Sequence, residues 1–298
     1  MHRRSFLRTI GLSAGALGTA GTAALLAACS SPSDTAGGAG GPLPQGEPAL
    51  NVINASFETL TGQDRRFAFG VTTLENEPVT EGPLEVYLRE VEGEILAGPL
   101  PAEFYDQGGS ALGVWLTSFD VPDPGIVELI AVNGDRHGAA ALRVVSPEQA
   151  QAPVPGAPAV SVPTPTTADD LGFATICTAD PPCGMHETSL DTALAEGRPA
   201  VVLFATPAFC QTAVCGPAVG TVDQIRQSRQ DAGDVAWIHC EVYTDNGQTL
   251  APQLGEEGWG LPTEPWLFTI GADGVIRDRL DGPMVDVVVE DMASALVA

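Results

Sequence analysis

Two cysteines lie between the end of a predicted buried strand and the start of a predicted helix. The continuous apolar run at 200–205 predicts a strand buried on both faces, and Cys210 and Cys215 follow it at the start of a predicted helix. A helix N-terminus presents unpaired N–H groups and the positive end of the helix dipole, which stabilise a thiolate. Because the thiolate is the form of cysteine that attacks disulfides, this arrangement favours thiol chemistry.

The Cys-x4-Cys spacing limits where the two sulfurs can lie. On a regular helix, residues five apart rise about 7.5 Å along the axis, too far for the Cα separation of roughly 4.4–6.8 Å that a disulfide needs. We therefore expect Cys210 in the turn and Cys215 in the first helical turn. Cys210 is the expected nucleophile and Cys215 the cysteine that resolves the mixed disulfide, although the reverse assignment stays open.

Between residues 171 and 298, three further cysteines and two histidines lie outside this pair. Cys177 and Cys183 flank a short Thr-Ala-Asp-Pro-Pro loop, and a structural disulfide between them would stabilise the fold by roughly 2 kcal/mol. Cys240 lies in the middle of a predicted strand and is expected to be a buried, inert thiol. His239 precedes it and should face the opposite side of the strand. His186 follows this loop and is expected at the surface, with a position near the active site as the alternative.

The first 28 residues are predicted to be an export signal. Residues 3–7, Arg-Arg-Ser-Phe-Leu, begin a twin-arginine pattern, and a Gly/Ala-rich run follows. That run ends Leu-Ala-Ala immediately before Cys29, which resembles the lipobox of bacterial lipoproteins. The resemblance implies cleavage before Cys29 and a lipid on its sulfur, so we expect an extracytoplasmic protein anchored to the cell membrane. No stretch reaches the roughly 20 apolar residues that a membrane-spanning helix needs.

The acidic composition of the chain argues against nucleic acid as a partner. The 298 residues carry 38 acidic side chains against 13 basic ones, for a formal net charge of -25. Binding to nucleic acid depends on basic side chains that neutralise phosphates, so no nucleic-acid partner is expected. The length suggests two domains beyond the signal.

Changes in composition divide the rest of the chain into four segments. Residues 29–48 are rich in Gly, Pro and Ser and are predicted to be a disordered tether. Residues 49–146 alternate short apolar runs with turn residues, which predicts an antiparallel β-sandwich that loosely resembles immunoglobulin-like domains. The proline-rich linker at 147–170 should be extended and hold the next domain away. Residues 171–298 form that last domain.

Residues 171–298 alternate predicted strands and helices. We expect a strand at 200–205, a helix from 210 to 228, a strand at 235–243, a short helix near 249–254, a hairpin within 261–280 and a helix at 285–297. This order predicts an α/β domain, in which a mixed sheet has flanking helices, preceded by the all-β sandwich.

The segment from about 176 to 298 resembles the thioredoxin-like fold family. The resemblance rests on Phe-Ala-Thr at 204–206 before Cys210, on Pro217 within the following helix, and on Glu264-Pro265 directly before the strand at 266–270. It implies that Pro265 is a cis proline lying against the active cysteines. The family places its second cysteine three residues after the nucleophile, and this chain departs from that spacing.

The favoured hypothesis is a membrane-tethered thiol–disulfide oxidoreductase without a cofactor. Its partners would be protein thiols or disulfides and an unidentified redox partner. One alternative is a copper-binding protein, in which two thiolates and either His186 or His239 hold Cu(I). A second is a peroxiredoxin-like peroxidase, whose motif is nearly matched by Pro207, Thr212 and Cys215 but is one residue too long. The third is a scaffold whose cysteines only stabilise the fold.

Overall fold

The computed structural model describes residues 43–44, 46–106, 113–211, 214–231, 233–245 and 247–297. The predicted signal at 1–28, the predicted lipidation site Cys29 and Thr212 lie outside these residues. The chain from Gly40 onward forms one compact unit. Within the described ranges, none of the helices has the length and apolar character that crossing a membrane requires.

Eight strands in the first part of the chain join one continuous curled sheet. The strands are β1 Leu50–Asn54, β2 Thr59–Leu60, β3 Gly62–Thr73, β4 Leu84–Glu90, β5 Ile95–Tyr105, β6 Val114–Val121, β7 Gly125–Asn133 and β8 Arg136–Val145. Their order is β1-β3-β6-β5-β4-β7-β8-β2, and the pairs are antiparallel except for β2 with β8. The alternating apolar residues of these strands meet in one core around Phe67, Phe69 and Trp115.

The second part of the chain contains a four-stranded sheet and three α-helices. Its elements are α1 Leu190–Ala195, β9 Ala200–Phe204, α2 Cys215–Ser228, β10 Ala236–Cys240, β11 Trp266–Ile270, β12 Ile276–Asp281 and α3 Asp286–Ser294. The sheet order is β10-β9-β11-β12, with β9 parallel to β10 and antiparallel to β11. Every residue of β9 is buried because its two faces pack into different apolar clusters, Val201 and Leu203 into one and Val202 and Phe204 into the other. The strand predicted from the continuous apolar run is confirmed.

The fold class predicted from the sequence is wrong. The described residues are mostly β-structure, in which eight strands form a curled sheet, four form a second sheet, and three α-helices of 6, 14 and 9 residues accompany them. The helix expected from residue 210 begins only at Cys215, and the helix expected near 249–254 is a single 3-10 turn, Pro252–Leu254. The first part was expected to be a sandwich, but its strands are continuous in one sheet. Strand β5 contains Pro99 and Pro101, which ordinarily argue against a strand interior.

The proline-rich segment at 147–170 packs against the second part of the chain instead of standing free as a spacer. Ala152 and Thr164 are buried. Pro158 forms an antiparallel bridge with Val275, and the flanking backbone groups hydrogen-bond at 2.8–3.0 Å. The sequence prediction that this segment holds the two parts apart is therefore incorrect. The domain boundaries drawn from the sequence stay predictions.

A buried ion pair joins the two parts of the chain. Arg279 on β12 lies 2.9 Å from the carboxylate of Glu58, and both side chains are almost completely buried. The guanidinium also lies over the ring of Trp266, 5.3 Å from its centroid. Nearby, the buried carboxylate of Asp281 accepts hydrogen bonds from the backbone N–H groups of Phe57 and Glu58. These contacts fix the curled sheet against β12.

Candidate redox pair and candidate metal centre

Cys210 and Cys215 lie together after β9. Cys215 is the first residue of α2 and is completely buried, whereas Cys210 lies in the preceding loop and is partly exposed. Neither cysteine is in a disulfide, and their Sγ atoms lie 2.6 Å apart, with Cys215 assigned as the hydrogen-bond donor. The predicted placement, with Cys210 in the turn and Cys215 in the first helical turn, is confirmed.

The surroundings of Cys215 raise its affinity for a proton. The hydrogen bond that Cys215 donates to Cys210, together with burial, raises the pKa of the Cys215 thiol. Cys215 therefore keeps its proton and uses it to stabilise negative charge on the Cys210 sulfur. A sulfur that accepts such a hydrogen bond and reaches solvent meets both requirements of an attacking thiolate.

Pro265 and Glu264 lie beside this pair. The Glu264–Pro265 peptide bond is cis, as the family resemblance implied. One carboxylate oxygen of Glu264 and the two sulfurs all lie within 4.8 Å of one another. Burial and the charge of Cys210 raise the pKa of the Glu264 carboxyl to about 7. Sequence reasoning used Glu264 only to locate the proline; a carboxylate preceding the expected site proline was the signal that it missed.

A second cluster brings together Cys177, Cys183, His186 and His239. The Sγ atoms of Cys177 and Cys183 are 3.7 Å apart. The Cys183 Sγ lies 3.3 Å from Nε2 of His186 and 3.4 Å from Nδ1 of His239, and the Cys177 Sγ lies 3.8 Å from that Nδ1. One ligand-type atom from each of the four residues lies within 4.8 Å of all the others.

This cluster corrects the interpretation of its histidines. His186 was expected at the surface, but it is only 3% exposed. His239 and Cys240 were expected to face opposite sides of the strand, and Cys240 is indeed buried in the other apolar cluster. The sequence did not indicate that His239 would meet Cys177 and Cys183 instead. The backbone N–H of His239 donates to the carbonyl of Met185 at 2.9 Å, which places His186 beside β10.

The predicted disulfide between Cys177 and Cys183 is not formed in the structure, where both are free thiols. The Cys183 thiol and the two imidazoles lower the pKa of Cys177, the thiol contact being the largest cause, and the reciprocal contact raises the pKa of Cys183. Burial alone would lower the pKa of His239, but its contacts with Cys177 and the charge of Glu241 raise it overall. Four titratable groups thus share one buried volume.

Hydrogen bonds around the cluster fix the orientation of His239. Its Nε2–H donates to the carbonyl of Ala205 at 2.9 Å, which leaves Nδ1 facing the two sulfurs. The carboxylate of Glu241, only 1% exposed, accepts hydrogen bonds from the backbone N–H of Thr178 at 2.6 Å and from the hydroxyl of Thr206 at 2.7 Å. Glu241 therefore joins the loop that carries Cys177 to the loop that leads to Cys210.

The copper alternative required a histidine beside Cys210 and Cys215. Among the described residues, the group of ligand-type side chains around that pair contains Glu264 and no histidine. The two candidate histidines both lie at Cys177 and Cys183 instead. The threonine of the peroxidase alternative, Thr212, lies outside the described residues.

Comparison with known proteins does not identify a family. No protein-family model and no curated protein matches the chain. A titin and obscurin-like complex of immunoglobulin domains is 20% identical over 33% of this chain and 87% of that chain, with a TM-score of 0.18. The Escherichia coli adhesin FdeC is 15% identical over 40% of this chain and 38% of its own, with a TM-score of 0.24. Titin domains Z1Z2 in complex with telethonin are 14% identical over 42% and 56%, with a TM-score of 0.19.

This chain therefore spans less than two thirds of the length of the second and third of these structures. TM-scores this low carry no argument about fold or function here. The site has to be interpreted from its own geometry.

Proposed function

We propose that the protein is a thiol–disulfide oxidoreductase that uses Cys210 and Cys215. The observation that carries this proposal is the close contact of two sulfurs that differ in exposure: the Sγ of the buried Cys215 lies 2.6 Å from the Sγ of the partly exposed Cys210. Exchange needs an accessible thiolate and a second thiol within reach of it. A pair that served only as a structural staple would not need an exposed member.

The reaction exchanges one disulfide for another. The Cys210 thiolate attacks one sulfur of a substrate disulfide, the substrate S–S bond breaks, and the departing substrate thiolate takes up a proton. Cys215 then loses its proton and attacks the sulfur of Cys210, which breaks the mixed disulfide and releases the second substrate thiol. Two electrons pass from the protein to the substrate, and the same steps in reverse oxidise a substrate dithiol.

Glu264 is the proposed proton acceptor for Cys215. The second step requires a buried thiol with a raised pKa to lose its proton, which is slow without a base. The Glu264 carboxyl lies within 4.8 Å of both sulfurs and has a pKa of about 7, close to the pH at which a general base works best. In the reverse direction, its protonated form returns the proton to Cys215.

A surface groove beside the first turns of α2 is the proposed substrate site. Its cavity of about 400 Å³ has Pro181, Pro182, Pro207 and Gly216 among its lining residues. Gly216 follows Cys215 directly, so a substrate segment in the groove would lie next to the pair. An open groove suits a protein or peptide disulfide. As predicted from residues 1–29, we place this activity outside the cytoplasm, at a membrane.

A redox titration of the full-length chain tests the proposal. Thiols would be trapped by alkylation at each potential, and each cysteine would be followed by mass spectrometry. We expect a Cys210–Cys215 couple that titrates reversibly between about -270 and -120 mV, the range of known exchange catalysts. A pair that stays oxidised below about -300 mV would be a structural staple and would overturn the proposal.

A further inference from the structure

Four side chains from separate stretches of the chain converge on one small volume. Cys177 and Cys183 come from the loop before α1, His186 from the segment that follows, and His239 from β10. His186 is 3% exposed and His239 is completely buried. Two thiols and two imidazoles are the ligand set of many structural zinc sites.

The distances between these ligand atoms match a tetrahedron around zinc. With Zn–S near 2.3 Å and Zn–N near 2.0–2.1 Å, tetrahedral angles place the two sulfurs about 3.8 Å apart and each sulfur about 3.5 Å from each nitrogen. The sulfurs of Cys177 and Cys183 are 3.7 Å apart, and the three recorded sulfur–nitrogen distances are 3.3, 3.4 and 3.8 Å. The set has the right size without rearrangement.

The orientation of His239 also fits metal binding. Its Nε2–H is used by the carbonyl of Ala205, so the lone pair of Nδ1 points at the sulfurs. Metal-binding histidines typically donate their second ring N–H to a carbonyl or carboxylate in this way, which fixes the ring and its tautomer. The backbone of β9 therefore holds the imidazole in a ligand geometry.

Charge decides between the candidate metals. Two thiolates and two neutral imidazoles balance a divalent cation, whereas a monovalent copper ion would leave a net negative charge in a buried cluster. The buried carboxylate of Glu241 lies 3.9 Å from the Nε2 of His239 and would add to that excess. Four ligands in a closed tetrahedral arrangement are also the usual coordination of structural Zn²⁺.

We infer that Cys177, Cys183, His186 and His239 bind one Zn²⁺ ion as a closed, four-coordinate structural site. This inferred zinc site does not depend on the proposed exchange activity. It would fix the loop at 177–183, which forms one wall of the groove, because Thr178 in this loop accepts a hydrogen bond from the backbone N–H of Ala208 at 3.1 Å. The ion would thus hold the surroundings of Cys210 in place without touching the reacting sulfurs.

The first test uses the unaltered full-length chain. The protein would be reduced, incubated with Zn²⁺ or Co²⁺, freed of excess metal and measured by elemental analysis and absorption spectroscopy. We expect one equivalent of bound metal, and for Co²⁺ the visible bands of a tetrahedral site with a thiolate charge-transfer band in the near ultraviolet. Cys177 and Cys183 should resist alkylation until a chelator is added. No retained metal, or Co²⁺ bands of an octahedral site without a thiolate charge-transfer band, would overturn the inference.

Variants identify which residues hold the ion. His239→Ala and Cys183→Ser should each weaken zinc binding by more than the roughly 10- to 100-fold that loss of a supporting hydrogen bond costs. Cys240→Ala is the matched control, because Cys240 adjoins His239 but packs in the other apolar cluster, and it should keep the full equivalent. A Cys210→Ser/Cys215→Ser variant should also keep it. Metal that disappears with this double variant, or a Cys177–Cys183 disulfide that persists after reduction and zinc addition, would contradict the assignment.

Discussion

The Sγ–H of Cys215 points at the Sγ of Cys210 from a completely buried position, 2.6 Å away. Because Cys215 is buried and Cys210 is partly exposed, the two sulfurs differ in their access to solvent before any substrate arrives. In the proposed exchange reaction, Cys210 attacks first and Cys215 acts second, after its proton has been removed.

Single cysteine variants should separate the two steps. Cys210→Ser should abolish exchange with a peptide disulfide, because the accessible sulfur is gone. Cys215→Ser should still attack but should accumulate a mixed disulfide on Cys210, since nothing resolves it. Mass spectrometry of the intact protein after incubation with the peptide measures both outcomes. Cys240→Ala, which alters only a buried thiol, should exchange normally. Exchange that survives Cys210→Ser and is lost in Cys215→Ser would reverse the assigned order.

Glu264 should give the resolution step its pH dependence. A carboxyl with a pKa of about 7 is mostly protonated at pH 6 and mostly ionised at pH 8, and only the ionised form accepts the proton of Cys215. The rate at which the mixed disulfide resolves should therefore rise with pH and level off at or below about pH 7, because burial still raises the pKa of Glu264 in the mixed disulfide whereas Cys210 no longer carries a charge. Stopped-flow measurements on Glu264→Gln should show a slower rate without this inflection. Glu257→Gln, at an exposed position, serves as the control and should leave the profile intact.

The sequence predicted the redox pair better than it predicted the cluster that surrounds His239. The strand before Cys210 is recognisable because a fully buried strand requires a continuous apolar run, and the spacing alone requires Cys215 to begin the helix. The meeting of His186 with His239 depends on a backbone hydrogen bond from β10 to Met185, a contact between residues far apart in the chain. Local pattern carries no information about such a contact, so His186 was misplaced at the surface.

The error in fold class has a similar origin. Local propensity indicated helices from residue 210 and near 249–254, where tertiary packing left a shorter α2 and one 3-10 turn. Strand β5 carries two prolines and was not predicted, yet it joins the halves of the curled sheet by pairing with both β4 and β6. Without β5, the sequence suggested separate sheets.

Asp281 should make stability depend on pH. Burial raises the pKa of its carboxyl from 3.8 to about 6 in the folded chain. The stability that this group contributes is therefore fully present below its unfolded pKa and is lost as the pH rises through about 6, by about 3 kcal/mol in total. Urea unfolding at pH 4.5 and pH 7 should show that Asp281→Asn loses less stability over this interval than the parent chain. Asp123→Asn, in an exposed turn, should follow the parent. Parallel curves for Asp281→Asn and the parent would contradict the assignment.

Loss of one partner of the ion pair between Glu58 and Arg279 should lower the free energy of unfolding. Glu58→Gln would leave the Arg279 guanidinium buried without its counter-charge, and breaking a buried pair in this way costs about 3–5 kcal/mol. The matched comparison is Asp278→Asn, which breaks the ion pair with Arg66; both of those side chains are about a third exposed, so the loss should stay below about 1 kcal/mol. Denaturant unfolding measures both variants. Equal losses in the free energy of unfolding for Glu58→Gln and Asp278→Asn would contradict the expectation that a buried ion pair is costlier to break than a partly exposed one.

Residues 156–159 pair with residues 274–276 and so cover the start of strand β12. Strand β12 is the last named strand of its sheet, and an open edge of this kind is where a foreign chain adds a strand. Here the start of that edge is already occupied by the chain's own backbone, and on β10 the N–H of His239 is taken by Met185. Neither covered stretch can recruit an extended peptide by strand addition, so a peptide that adds a strand to this sheet would have to pair elsewhere along its edges.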